Sequence, residues 1–230
     1  MDIQTNTYRI LLIGNSYTYY NELWDRLSEL ATLAGIDARI DHVTKGGAIL
    51  AQMLDPNEAC GAEALQKLTT ERYDAVVLQD NSLRTIRDRE GFETDIKRLH
   101  ELIKANGAIP LLYQTWARRA GSSKLTQYNL TPESMTNVIA RAYREVGAAI
   151  GARVAHVGDA FYDVVCNHPE INLYDPDGTH PSPAGTALAA LCIFIAIFDR
   201  SPEGLPFTFG TDSEEQAAIL RRAAIGAMEK

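Results

Sequence analysis

The chain has 230 residues, 46% of them hydrophobic and 23% charged, with a formal net charge of -8. That size suits one globular domain with a sizeable core. The acidic balance, with no basic run, argues against nucleic acid or an anionic membrane as partner. Residues 1–6 have neither the basic nor the apolar segment of a signal peptide, so a cytoplasmic location is expected.

In chain order, residues 8–13 form a near-continuous apolar run, as expected of a parallel strand covered on both faces. Gly14-Asn15-Ser16-Tyr17-Thr18 follows directly. Residues 21–33 carry Leu23, Leu27, Leu30 and Leu33 at helical spacing, with Gly35 as a stop. A second strand at 38–43 leads into Gly46-Gly47, and a helix is predicted over 58–71. The third strand, 74–79, runs into Asp80-Asn81-Ser82. A helix over 89–105 and a fourth strand over 109–113 lead to Gln114-Thr115-Trp116.

Residues 118–128 read as a surface loop. A Thr131-Pro132 cap and first turn open a helix over 132–150, and 153–157 read as the fifth strand. Asp177-Gly178-Thr179-His180-Pro181-Ser182 then precedes an apolar stretch over 184–198. That stretch is shorter than the roughly 18 residues of a membrane span, so it reads as a buried helix with Cys192 in the core. The last helix covers 213–228. Cys60, Cys166 and Cys192 are odd in number and in no metal-ligand spacing, as expected of reduced thiols.

The alternation predicts a doubly wound α/β/α sandwich around a five-stranded parallel sheet, flavodoxin-like in plan. In such sheets ligands bind outside the carboxyl ends of the strands. Ser16, Gly46-Gly47, Asp80-Asn81-Ser82, Gln114-Thr115-Trp116 and the Asp177–His180 block all fall on that edge.

Ser16 in a strand-helix turn suits either a helix cap or a nucleophile. His180 differs from His42, His100, His156 and His168 in having Asp177 three positions before it. In Asp-x-x-His the carboxylate can reach Nδ1 while Nε2 faces a serine, although an aspartate there can also simply cap a turn. Gly47 can bring a backbone N–H close to an oxyanion, and Asn81 or Gln79 can add a side-chain amide. Gln79, Trp116 and Tyr17 are candidate substrate contacts, with Tyr19 and Tyr20 in the same aromatic cluster.

These blocks resemble the SGNH (GDSL-like) hydrolase superfamily across nearly the whole chain. Gly14-Asn15-Ser16 is similar to its first block, Gly47 to the second-block glycine, Asn81 to the third-block asparagine, and Asp177/His180 to the last block. The usual Gly-Asp-Ser reads Gly-Asn-Ser, and the usual Gly-x-Asn-Asp reads Gln79-Asp80-Asn81-Ser82. Both departures resemble a little-characterised bacterial branch. The resemblance implies one SGNH hydrolase-like domain over 1–230 and acyl transfer without metal or organic cofactor. It implies Ser16 as nucleophile, His180 as base and Asp177 as the acid that orients it. Ser16, Gly47 and Asn81 would donate to the oxyanion. The usual substrates of the superfamily are carbohydrate O-acetyl groups and small lipid or aryl esters, so a small-molecule or carbohydrate ester is expected.

Three alternatives compete. An α/β-hydrolase would use Gly14-x-Ser16-x-Thr18 as a near miss of its nucleophile elbow, but that fold places its serine after several strands. A flavodoxin-like domain would hold a phosphate on Ser16 and Thr18. An inactive relative would bind glycans.

Overall fold

Apolar runs such as Ile10-Leu11-Leu12-Ile13 are satisfied only when both faces of a strand are covered. A computed structural model shows how the chain does this; it describes residues 7–229. Residues 1–6, read above for a signal peptide, lie outside the described residues, as does Lys230.

Five parallel strands, β1 (Tyr8–Gly14), β2 (Ala38–Thr44), β3 (Ala75–Leu78), β4 (Ile109–Tyr113) and β5 (Arg153–Ala155), form a sheet in the order β2-β1-β3-β4-β5. Alternate residues serve opposite layers. Ile10, Leu12, Val77 and Leu111 pack with α2 (Leu23–Leu33), α9 (Val157–Asn167), α10 (Pro183–Phe198) and α11 (Glu214–Met228). Leu11, Ile13, Val76, Leu78 and Leu112 pack with α3 (Leu50–Met53), α4 (Ala59–Thr70), α6 (Arg89–Asn106) and α8 (Pro132–Ile150). Three short helices, α1 (Ser16–Tyr19), α5 (Arg84–Arg87) and α7 (Ser123–Gln127), lie in the connections. This is the expected three-layer α/β fold.

From β1 the chain moves outward to β2, then returns to build β3 on the other flank. The crevice at this reversal is where open α/β sheets bind ligands. Ser16 follows β1 and Asn81 follows β3, so both border it. The apolar α10 is capped by Ser182, whose hydroxyl accepts the Gly185 N–H at 3.1 Å, and its interior is buried. Among the described residues no helix is long and apolar enough to cross a membrane.

Three expectations need correction. The run 153–157 is strand only to Ala155: the His156 N–H turns to Met228 Sδ at 3.4 Å, and Val157 opens α9, a helix the sequence reading lacks. Residues 118–128 are more than a surface loop, because α7 buries Leu125 and the Arg119 N–H donates to Gly178 O at 3.0 Å. The helix predicted from residue 21 starts at Leu23, because Asn21 and Glu22 take left-handed backbone angles (φ 53° and 48°).

Candidate active site

Ser16 stands where β1 turns into α1. The capping role falls to Asn15, whose Oδ1 accepts the Tyr17 N–H at 3.2 Å, so the Ser16 hydroxyl is left for other use. Below it, Gln79 acts as a buckle. Its Oε1 accepts the Asn15 N–H at 2.8 Å and the Thr18 hydroxyl at 2.9 Å, and its Nε2 donates to Asp80 O at 2.6 Å. A Cβ on Gly14 would lie 2.3 Å from Thr18 Oγ1 and 2.6 Å from Gln79 Oε1, so this close approach requires glycine.

Ser16 Oγ lies 2.9 Å from His180 Nε2, and His180 Nδ1 is hydrogen-bonded to Asp177 Oδ2. Asp177 Oδ1 also accepts the N–H groups of Thr179 and His180, each at 2.9 Å, so this carboxylate caps the turn and holds the ring at once. Burial pushes its pKa up, but the His180 ring and the two N–H groups outweigh that and hold it below the ordinary aspartate value. In this order an imidazole can take a hydroxyl proton at Nε2 while its Nδ1–H stays fixed.

The histidine loop is positioned from outside. Trp116 stacks between Tyr17 (4.4 Å) and Phe161 (4.1 Å) and donates from Nε1 to Thr179 O at 3.0 Å. Tyr17 Oη bonds Thr179 Oγ1 at 2.7 Å, and Asn21 Nδ2 donates to Pro181 O at 3.1 Å. Tyr20 lies flat on the His180 ring, centroids 4.2 Å apart. Sequence reasoning did not assign Asn21 or Thr179, and it met Tyr20 only as part of a cluster. An asparagine just ahead of a leucine-periodic helix was the available signal for Asn21.

Ser16, Gly46, Gly47, Asn81, Arg118 and His180 line a cleft of about 330 Å³. The Ser16 and Gly47 N–H groups have no partner among the described residues. Asn81 Oδ1 accepts the Leu83 N–H at 3.0 Å, which leaves its amide nitrogen without a partner among those residues. Asp80 links the two walls: its Oδ1 accepts the N–H groups of Leu50 (3.2 Å) and Asn81 (2.7 Å), while Oδ2 is buried without a partner.

No known family profile and no curated protein sequence matches the chain. Solved structures do. A protein from Slackia heliotrinireducens assigned to the SGNH hydrolases is 36% identical over 83% of this chain and 99% of its own, with a TM-score of 0.75. The chain belongs to the SGNH hydrolases. A DUF4886 family protein from Bacteroides uniformis shares the fold at 20% identity, TM-score 0.78, over 97% of this chain and 95% of that one. The acetyl xylan esterase AlAXEase shares it at 15% identity, TM-score 0.61, over 82% and 99%.

Family membership sets aside the α/β-hydrolase alternative. The phosphate alternative needs a free Thr18, but that hydroxyl is buried and donates to Gln79. Two expected substrate contacts of this SGNH hydrolase are corrected. Gln79 is 1% exposed with its oxygen and nitrogen engaged, so it offers neither a cleft contact nor an oxyanion donor. Trp116 is fully buried between two rings and supports the histidine loop instead of presenting a face to a ligand. Tyr17 reaches the cleft wall, with its ring on Trp116 and its hydroxyl on Thr179.

Burial raises the Asp80 pKa to about 6, against the opposing pull of the Asn81 N–H, Arg84 and the Leu50 N–H. The folded protein therefore holds this proton more tightly than the unfolded chain does. Stability from this group is fully present below the unfolded value near 4 and is lost as pH rises through about 6. The expected difference between pH 4 and pH 7 is on the order of 2 kcal/mol. Urea titrations of wild type and Asp80→Asn across that range should show the slope in wild type and its loss in the variant.

Proposed function

We propose that this SGNH hydrolase is a serine esterase that removes small acyl groups, acetyl above all, from small-molecule or carbohydrate esters. The observation that carries this reading is the 2.9 Å contact between Ser16 Oγ and His180 Nε2, with Asp177 on the other ring nitrogen.

In this reading Ser16 Oγ attacks the ester carbonyl as His180 Nε2 takes its proton. The carbonyl oxygen becomes an oxyanion that accepts hydrogen bonds from the Ser16 and Gly47 N–H groups and the Asn81 amide. Collapse breaks the ester C–O bond, and the alcohol leaves with the proton from His180. Water then attacks the acyl-serine, with His180 again as base, and releases the acid and free Ser16. The chemistry uses no metal and no organic cofactor. AlAXEase, which shares the fold, is an acetyl xylan esterase, and this supports acetyl groups on sugars as first candidates. Tyr19, on the cleft wall, is better placed than Trp116 to meet a sugar ring.

Hydrolysis of p-nitrophenyl acetate, together with mass-spectrometric mapping of a fluorophosphonate adduct, tests the reading. Turnover with the adduct on Ser16 is expected. Turnover with the adduct elsewhere, or no turnover and no adduct, would overturn it. Asn81→Ala should lower kcat by about 10²–10³ with the fold intact. Gln79→Ala should instead destabilise the protein by on the order of 2–4 kcal/mol, because it orphans the Asn15 N–H and the Thr18 hydroxyl. Melting curves beside rates separate the two.

A further inference from the structure

Among the described residues Arg118 is the one lysine or arginine on the wall of the Ser16 cleft. Its backbone N–H rests on Met135 Sδ at 3.5 Å. Its guanidinium makes no ion pair among the described residues, and its Nε is buried without a partner. Exposed arginines such as Arg98 and Arg222 also lack a carboxylate, but Arg118 combines that lack with a buried Nε and a place on the cleft wall. Neither carboxylate at the site pairs with it: Asp177 is engaged by the His180 ring and two backbone N–H groups, and Asp80 is buried on the Leu50 and Asn81 N–H groups. A half-buried arginine with no internal counter-ion leaves its guanidinium for an anion that the ligand brings.

Arg118 also borders a second cavity, of about 280 Å³, whose walls include Phe161, Tyr162, Val165, Ile171 and Leu173. The Tyr17–Trp116–Phe161 stack stands between this apolar cavity and the cleft, and Arg118 lines both. A ligand anchored on Arg118 thus has apolar surface within reach. Arg119 joins Arg118 only at the second cavity, so an anion held on the cleft side meets one positive charge, which suits a carboxylate better than a phosphate dianion.

Resting on the esterase reading above, we propose that Arg118 is a specificity-determining residue that selects acyl esters whose alcohol part carries a carboxylate on an apolar body. A charge-assisted hydrogen bond of this kind is worth roughly tenfold to a hundredfold in selectivity.

The test compares kcat/KM for 4-acetoxybenzoate and for its neutral methyl ester in wild type, Arg118→Gln and Arg118→Lys. The acid-to-ester ratio should fall at least tenfold in Arg118→Gln and less in Arg118→Lys. The same ratio in all three would overturn the proposal. Calorimetry of both compounds on Ser16→Ala, with and without Arg118→Gln, gives a readout that needs no turnover. The acid should bind at least tenfold more tightly, and Arg118→Gln should remove that preference. If wild type hydrolyses neither compound, p-nitrophenyl acetate turnover decides the esterase reading separately, while this binding comparison still decides the role of Arg118. If Arg118→Gln does not fold, competition on Ser16→Ala decides: benzoate should displace 4-acetoxybenzoate and neutral benzamide should not. Equal displacement would overturn the proposal.

Discussion

Ser16→Ala is expected to lower kcat for p-nitrophenyl acetate by a factor on the order of 10⁵–10⁶, the scale on which loss of a serine nucleophile acts. The melting temperature should barely change. Ser16 Oγ makes one side-chain contact among the described residues, to His180 Nε2, and Asn15 rather than Ser16 caps the helix that follows. The helix therefore keeps its start when the hydroxyl is lost. Steady-state rates beside circular-dichroism melts check both halves of the statement. A variant with more than a tenth of wild-type activity would show that Ser16 is not the nucleophile. His180→Ala should match it in rate but melt somewhat lower, because it also removes the ring on which Tyr20 stacks.

Asp177→Asn has the second largest expected effect, a loss of about 10⁴ in kcat with the loop unchanged. The reason lies in how the two carboxylate oxygens are used. Oδ1 holds the Thr179 and His180 N–H groups, and an asparagine oxygen can do the same, so the turn survives. The asparagine NH₂ then takes the place of Oδ2 and faces His180 Nδ1. An amide can only donate there, so Nδ1 must be the bare nitrogen and the proton moves to Nε2. His180 then presents N–H to Ser16 and cannot accept its proton. The pH–rate profile and the rate together check this. Activity close to wild type would remove Asp177 from the mechanism, whereas a large loss accompanied by a lower melting point would mean that it is mainly a structural cap.

Much of the sheet was legible because β1 and β3 are near-continuous apolar runs and the longer helices carry apolar residues at helical spacing, as leucine does in α2. The positions of Ser16, Gly47, Asn81 and the Asp177–His180 loop along one sheet edge followed from that order alone. What the sequence hid was contact. Trp116 reads the same whether it faces a ligand or a core, and only the flanking Tyr17 and Phe161 rings show that it is packed. Gln79 and Asn81 are both amides at the end of β3, and their roles separate only when the partners of Gln79 Oε1 are seen. Helix α9 was lost because only His156 separates β5 from Val157, its first residue, with no glycine or proline to mark the break. Arg118 drew no notice, since the Arg118-Arg119 pair in a loop is ordinary until its place on the cleft wall and its lack of a counter-ion can be checked.

The pairing of Ser16 with His180 joins residues 164 positions apart. On a ribosome adding roughly 5–20 residues per second, the serine emerges about ten to thirty seconds before its histidine. Throughout that interval the nascent chain carries a serine with no base to deprotonate it. In the proposed mechanism, hydrolysis thus waits until the loop before α10 has been made and docked against Trp116. Recovery of esterase activity during refolding would accordingly report completion of the sheet edge, after the secondary structure has already returned.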